Sequence, residues 1–479
     1  MSRSLLRSPG VDSAEARAFV AFAAAHPIFD PGLPITIARA PGRLDLMGGI
    51  ADYSGSLVLQ WPLREATMVA VQEPSTGGFQ ATSVDSESGE ARSCNINVAD
   101  LFPDGSPLSY EAARAWFRAR PSSAWSAYVF GALLVLARER GLRPPGGLRV
   151  LIWSDVPEGK GVSSSAALEV ATLQALTSVL GLALEPRELA LIAQSVENDV
   201  VGAACGVMDQ MTSSCGVADH LLALFCQPAE LLGMLPLPEH LDVWGIDSGI
   251  RHAVSGSDYT SVRVAAFMGA RILSARAGLR ATPLGTPGKV LIEDPRWGGH
   301  LANIMPSELE GGDLGVLPDS MSGSAFLEEF GGITDAVTAV DPSRDYRVRA
   351  CTVHPVHENF RVRAFAELLQ GAPSDRRGLL LGELMFQSHA SYSTCGLGSE
   401  ATDRLVALVR AAGPARGFFG AKITGGGSGG TVAVLGRRGA DIDEIARACE
   451  VETGNRPRVF SGSSAGAAAF GTILLGPLP

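Results

Sequence analysis

Apolar and polar positions along this chain alternate with two periods, and the switches between them mark helices and strands. Residues 12–25 are rich in Ala and read as a helix. Ile35 to Ala40 alternate as a strand does, and Pro41 and Gly42 are expected to turn the chain. Leu57 to Gln60 and Thr67 to Gln72 read as two further strands. Over 74–124 the signal is mixed. Ser126 to Arg138 reads as a buried helix and Leu148 to Ser154 as a compact apolar strand. Ala167, Val170, Leu173 and Val179 recur at helical spacing, so a long helix should open near Ser163. Pro186 suits the first turn of another helix, running to about Asp199. Strands are expected near His220–Cys226 and Val243–Asp247, and a helix from Asp258 to Ala277. Residues 280–325 carry Pro, Gly and Trp with little periodicity and read as an irregular insertion. Three helices follow, near 356–370, 375–391 and 399–412. The chain ends as strand (Phe418–Thr424), glycine loop, strand (Thr431–Leu435), helix (Asp441–Glu450) and strand (Arg458–Phe460).

The mixture is α+β. At 479 residues the chain exceeds one ordinary domain of roughly 100–200 residues, so two lobes are expected, 1–225 and 226–479. Apolar residues make up 46% and charged residues 19%, which allows a large buried core. The net charge of −11, with no Lys/Arg-rich run, argues against nucleic acid as a partner. An anionic ligand must then be held by local features. Seven Cys without paired spacing, and a weakly apolar MSRSLLRSPG start, point to a reducing, cytoplasmic setting. The longest apolar stretch, near Tyr128 to Ala137, is far short of the ~18–20 residues of a membrane span.

Two glycine loops stand out. In Pro157-Glu-Gly-Lys-Gly-Val-Ser-Ser-Ser-Ala-Ala167 a strand leads through glycines into a helix. A helix N-terminus offers free N–H groups and partial positive charge. Gly159 and Gly161 let the backbone press against an anion, while Ser163, Ser164 and Ser165 can cap the helix or reach phosphate or Mg²⁺. The order G-x-x-x-x-G-K-[ST] is absent, so this is not a P-loop. Lys160 lies inside the loop and is a lesser phosphate candidate. The second loop, Lys422-Ile-Thr-Gly-Gly-Gly-Ser-Gly-Gly430, runs into a strand, which excludes a dinucleotide fingerprint. So long a glycine run implies close backbone approach to a ligand, or a border on the first loop.

Two acidic segments complete the pattern. Arg43, Asp45, Asp52 and Tyr53 crowd into Ala40–Tyr53, and Asp209 sits in Cys205-Gly-Val-Met-Asp-Gln210. The ordered set P-G-R-x-D-x-M-G-G…D-Y, P-x-G-x-G-V-S-S-S-A-A, G-V-M-D-Q and K-I-T-G-G-G-S-G-G resembles the GHMP small-molecule kinases, and most of all their galactokinase branch. Asp247-Ser-Gly-Ile-Arg-His252, Tyr259 and Glu358-Asn-Phe-Arg-Val362 match further stretches. Met47–Leu59, Asp319–Phe326 and Cys395–Ser399 look like the kinase domains of plant-type L-arabinokinases, whose extra glycosyltransferase-like region is not seen here. A stand-alone kinase is therefore expected.

The resemblance implies a two-lobed fold with the site in the cleft, and transfer of the ATP γ-phosphate to a sugar 1-hydroxyl. It casts Asp209 and Arg43 as catalytic, and Asp52, Gly49, Ile50 and Tyr259 as sugar-binding. It implies Gly159, Gly161, Ser163, Ser164, Ser165, Gly425, Gly426 and Gly427 for ATP, and Ser164 and Glu197 for Mg²⁺. A solvated helix face is the plain alternative for Glu197. Galactokinases carry Glu-His where this chain has Gly49-Ile50, and those two residues hold the far end of galactose. Their loss implies L-arabinose, which lacks the hydroxymethyl group, with galactose as the alternative acceptor. A non-catalytic sugar and ATP sensor is the rival of another class. His354-Pro-Val-His357 lacks a third ligand at zinc spacing.

Overall fold

The computed structural model describes residues 5–7, 13–86, 89–250 and 257–477. Arg251 and His252 lie outside the described residues, as does the chain start apart from Leu5–Arg7. Two sheets organise the molecule. The larger has nine strands, in the order Leu5–Arg7, Thr472–Leu475, Ile35–Met47, Leu57–Gln72, Gly147–Ser154, Gly78–Asp85, Ala91–Ile96. His220–Phe225 pairs with the start of Leu57–Gln72, and Glu230–Pro236 pairs in turn with His220–Phe225. The smaller sheet orders Phe418–Ile423, Thr431–Arg437, Leu241–Asp247 and Val459–Ser461.

The division expected at 225/226 falls in the turn of the hairpin that joins His220–Phe225 to Glu230–Pro236. Strand pairing keeps that hairpin whole on the large sheet and brings Thr472–Leu475 back to it. Nor does the chain turn at Pro41-Gly42. The strand Ile35–Met47 continues through them with register shifts, and Leu57–Gln72 is one strand of 16 residues. A bulge absorbs the missing Pro N–H and bends the strand, so the break in the apolar pattern is local. Beyond the bend Arg43 and Asp45 remain paired with Pro62 and Gln60, and their side chains reach the Gly161 carbonyl and Lys422.

Packing follows the apolar faces. Helix Ala127–Arg140 is buried along most of its length against Ser164–Val179 and the large sheet. Residues 280–325 are more ordered than their composition implies. They form a short hairpin, Ala281–Pro283 with Gly288–Ile292, and several single helical turns. Trp297, Leu301, Ile304, Leu309 and Leu317 are buried in a core shared with helices Ser257–Arg276 and Val348–Leu369. Single turns are too short to show helical periodicity, which hid them. Among the described residues no helix is long and apolar enough to cross a membrane.

Candidate active site

Both glycine loops, the end of strand Ile35–Met47 and helix Met208–Cys215 converge on a cavity of about 690 Å³. Arg43, Ile50, Asp52, Gly159, Gly161, Ser163, Ser164, Ser165, Glu197, Asp209, Tyr259, Gly425 and Gly426 all line it. At its centre the Arg43 guanidinium forks onto Asp209, with Nε and one terminal nitrogen each 2.8 Å from a carboxylate oxygen. The other terminal nitrogen donates to the Gly161 carbonyl at 2.8 Å. Arg43 is buried and Asp209 keeps partial access to the cavity. The pair is therefore rigid on one side and open on the other.

Helix Ser164–Val179 opens beneath the first loop, where Gly159 and Gly161 both take positive φ. Ser163 was expected to cap it. Its φ is +60°, and its hydroxyl donates to Asp209 at 2.5 Å while making no cap bond. Capping needs an extended N-cap backbone that folds the side chain back over the helix, and the left-handed geometry points it away. The helix N–H groups thus stay uncapped by Ser163, and Asp209 gains a third donor.

The second loop closes over the first. A Cβ at Gly425 would lie 2.8 Å from the Gly161 carbonyl, and one at Gly430 2.8 Å from that of Lys160. Thr431 donates to the Lys160 carbonyl at 2.8 Å. Close approach of protein to protein, across the lobes, therefore accounts for part of the glycine run. Gly427 packs on Leu397 and is not among the cavity-lining residues. Lys160 turns away as well, with its ammonium 2.8 Å from Asp247.

Three family descriptions match this chain. "GHMP kinases N terminal domain" covers residues 127–217, "GHMP kinases C terminal" 364–455, and "Galactokinase galactose-binding signature" 28–73. The chain is 31% identical to a galactokinase of Chloroflexus aurantiacus over 84% of both chains. It belongs to the GHMP kinases. It is also 45% identical to an L-arabinokinase of Arabidopsis thaliana over 94% of its own length, and spans about half (48%) of that protein. Among solved structures, this GHMP kinase matches Lactococcus lactis galactokinase complexed with galactose at a TM-score of 0.66 and 18% identity, over 90% and 94% of the two chains. L. major mevalonate kinase matches at 0.52 and 15%, over 90% and 97%.

In this GHMP kinase the acidic residues around the cavity are unusually buried. Burial is the largest influence on Asp52 and raises its carboxyl to about 7. The Arg263 charge opposes the shift and Asp209 adds to it. Tyr259 donates to Asp52 at 3.4 Å. A Cβ at Gly206 would fall 1.6 Å from the Asp52 carboxylate, so only glycine fits there. Glu197 is likewise raised to about 7, by burial first and then by Asp209. It sits on a π-helical turn, Val196–Val201, that ends helix Pro186–Ser195 and rolls it inward, off the solvated face the plain alternative offered. Gln210 donates to Glu197 at 2.7 Å and to the deeper Glu169 at 3.2 Å.

Gly49 and Ile50 differ from each other in what they do. Ile50 lines the cavity beside Asp52, whereas Gly49 does not. The space beyond the Gly49 Cα is filled by the Tyr392 hydroxyl, 1.4 Å from where a Cβ would stand. Arg263, Glu169, Tyr392 and Lys422 escaped the sequence reading. Arg263 is fully paired with Asp335 through two bonds of 2.8 Å. A charge or hydroxyl on an otherwise apolar helix face, or in an apolar strand for Lys422, was their only signal. Glu358 and Asn359 brace the turn that carries Gly49 and Ile50, accepting from Gly48 N–H at 3.2 Å and Leu57 N–H at 3.0 Å.

Proposed function

We propose that this GHMP kinase transfers the γ-phosphoryl group of ATP to the 1-hydroxyl of L-arabinose. The observation that carries the kinase reading is the Arg43–Asp209 fork, set where the two glycine loops meet the pocket of Asp52, Ile50 and Tyr259. Likeness to the Arabidopsis L-arabinokinase, and an apolar Ile50 in the acceptor wall, favour the pentose. The intact fork and the uncapped helix start favour catalysis over a sensor role.

Asp209 orients the acceptor hydroxyl and takes its proton late, since a loose transition state needs no strong base early. Arg43 holds Asp209 in place and faces the developing charge. Asp52 and Tyr259 bind ring hydroxyls. Gly159, Gly161, Ser164, Ser165, Gly425 and Gly426 line the nucleotide side, with the helix N–H groups as the anion seat. Glu197 and Ser164 would hold Mg²⁺, which neutralises phosphate charge when bound. The donor set fits a hard cation, because burial and the Asp209 charge are the largest influences on Glu197 and a cation offsets both. Seven free thiols suit a reducing compartment such as the cytoplasm.

The test is ATP-dependent phosphorylation of a sugar panel. We expect kcat/KM for L-arabinose to exceed that for D-galactose by about tenfold or more, the range set by a single misplaced group in a pocket. Equal values would remove the pentose assignment, and no turnover of any sugar would favour the sensor.

The acids also set a pH dependence. Asp52 and Glu197 have folded values near 7, above the ordinary carboxylate range. Between about 4 and 7 the folded state holds more protons on these two groups than the unfolded state. The contribution of these two carboxyls to the stability of the ligand-free protein therefore falls as pH rises through that window, while His354, lowered to about 4 by burial, works in the opposite direction. Ionisation gives Asp52 its full acceptor capacity toward sugar hydroxyls and Glu197 the charge a cation needs, so kcat/KM should rise across pH 7. Melting of ligand-free wild type and Asp52→Asn/Glu197→Gln at pH 5 and pH 8 checks the first expectation, with the wild-type midpoint expected to fall further towards pH 8 than that of the double variant. Stabilisation by Mg-nucleotide should in turn be larger at pH 8.

A further inference from the structure

Tyr392 lies behind the cavity, fully buried on helix Asp375–Cys395. Its hydroxyl accepts the Ile50 N–H at 2.9 Å. Its proton can go to the Gly425 carbonyl, 3.3 Å away, or to Asp45 at 3.4 Å. Ile50 stands in the acceptor wall and Gly425 in the nucleotide wall of one cavity. A single hydroxyl thus accepts from one wall and stands within hydrogen-bond reach of the other. It also excludes every side chain at position 49, where φ is +26° and the Cβ site overlaps the oxygen. Glycine 49 and tyrosine 392 form one steric pair, and neither touches substrate space.

We propose that Tyr392 is a positioning residue that fixes Ile50 as the wall sorting acceptors by size and ties that wall to the nucleotide-side glycine loop. This rests on the sugar kinase reading above. An apolar wall rejects a larger acceptor only as firmly as its backbone is held. The Ile50 N–H is buried, and with the hydroxyl gone it has no acceptor, so the turn must shift to satisfy it. A shifted Ile50 gives way to a hydroxymethyl group. The Gly425 carbonyl loses its partner in the same step.

Tyr392→Phe keeps the ring and removes only the hydroxyl. The readout is the ratio of kcat/KM for L-arabinose to that for D-galactose, measured on one preparation so that any unfolded fraction cancels. We expect the ratio to contract by about five- to tenfold, with a raised KM for ATP. A merely structural role would lower both sugars equally and leave the ratio alone, which overturns the proposal. Ile50→Ala supplies the second arm. It should contract the ratio by itself, and Tyr392→Phe should add little on top of it, because both act through one wall. Fully additive effects overturn the proposal. Wild-type protein that discriminates while Tyr392→Phe discriminates equally well removes this inference and leaves the functional reading intact. A wild type that phosphorylates neither sugar overturns both.

Discussion

Replacing Asp209 by Asn is expected to lower kcat by about 10²–10⁴-fold, the span of a positioned acid–base group, with nucleotide binding near wild type. The asymmetry follows from the geometry. Asp209 reaches the cavity between the acceptor pocket and the helix start, held by Arg43 from one side and by Ser163 from the other. The glycine part of the first loop takes its shape from Gly159, Gly161 and the contact of Lys160 with Thr431, and meets Asp209 directly only through Ser163. The amide keeps the volume but offers one acceptor where the carboxylate offered two. Arg43 then loses half of its fork, yet keeps its bond to the Gly161 carbonyl. Calorimetric titration with a non-hydrolysable ATP analogue, beside single-turnover rates, separates the two effects. Turnover close to wild type would remove Asp209 from the reaction and leave the loops as a binding site only.

The parts of the site that sequence reveals are those whose residue types are costly elsewhere. Long glycine runs and three serines after a strand stand out because no helix or strand needs them. They brought Gly161, Ser163 and Gly425 into view, the resemblance to the GHMP kinases added Asp209, and all four line the cavity. Helices with sustained 3.6-residue periodicity were equally plain, as at Ser164–Val179 and Glu400–Ala412. What stayed hidden depends on contacts between distant segments. The left-handed Ser163 departs from its expected cap because Asp209, 46 positions away, competes for the hydroxyl. Val196–Val201 reads as ordinary helix, and only the π-turn directs Glu197 inward. Helix Val348–Leu369 begins well before its expected start near 356 and carries Pro355 inside it, where a proline normally marks a helix end. Tyr392 and Lys422 look like routine members of a helix and a strand until the lobes are brought together.

Lys422 carries the second large effect. Lys422→Met should destabilise the protein by about 3–5 kcal/mol, the cost of stranding one charge of a buried pair. Both side chains of the Lys422–Asp45 pair are wholly buried. The ammonium also reaches the Asp45 carbonyl at 3.2 Å and stands over the Tyr392 ring at 5.0 Å. Asp45 would retain donors from the Gly49 N–H at 2.9 Å and the Gln60 amide at 2.8 Å, but would face them with an uncompensated charge. The pair joins the bent strand of the first lobe to the strand that leads into the second glycine loop. Its loss should therefore loosen the cleft as well as the core. Denaturant melts of the wild type and two variants decide the matter. Asp45→Asn/Lys422→Met should recover much of what Lys422→Met loses, since an amide needs no counter-charge and can still accept from Gly49 and Gln60. A single-variant loss of only about 0–1 kcal/mol, as for an exposed ion pair, would show that water reaches the pair and that the lobes are joined chiefly by the apolar contacts around it.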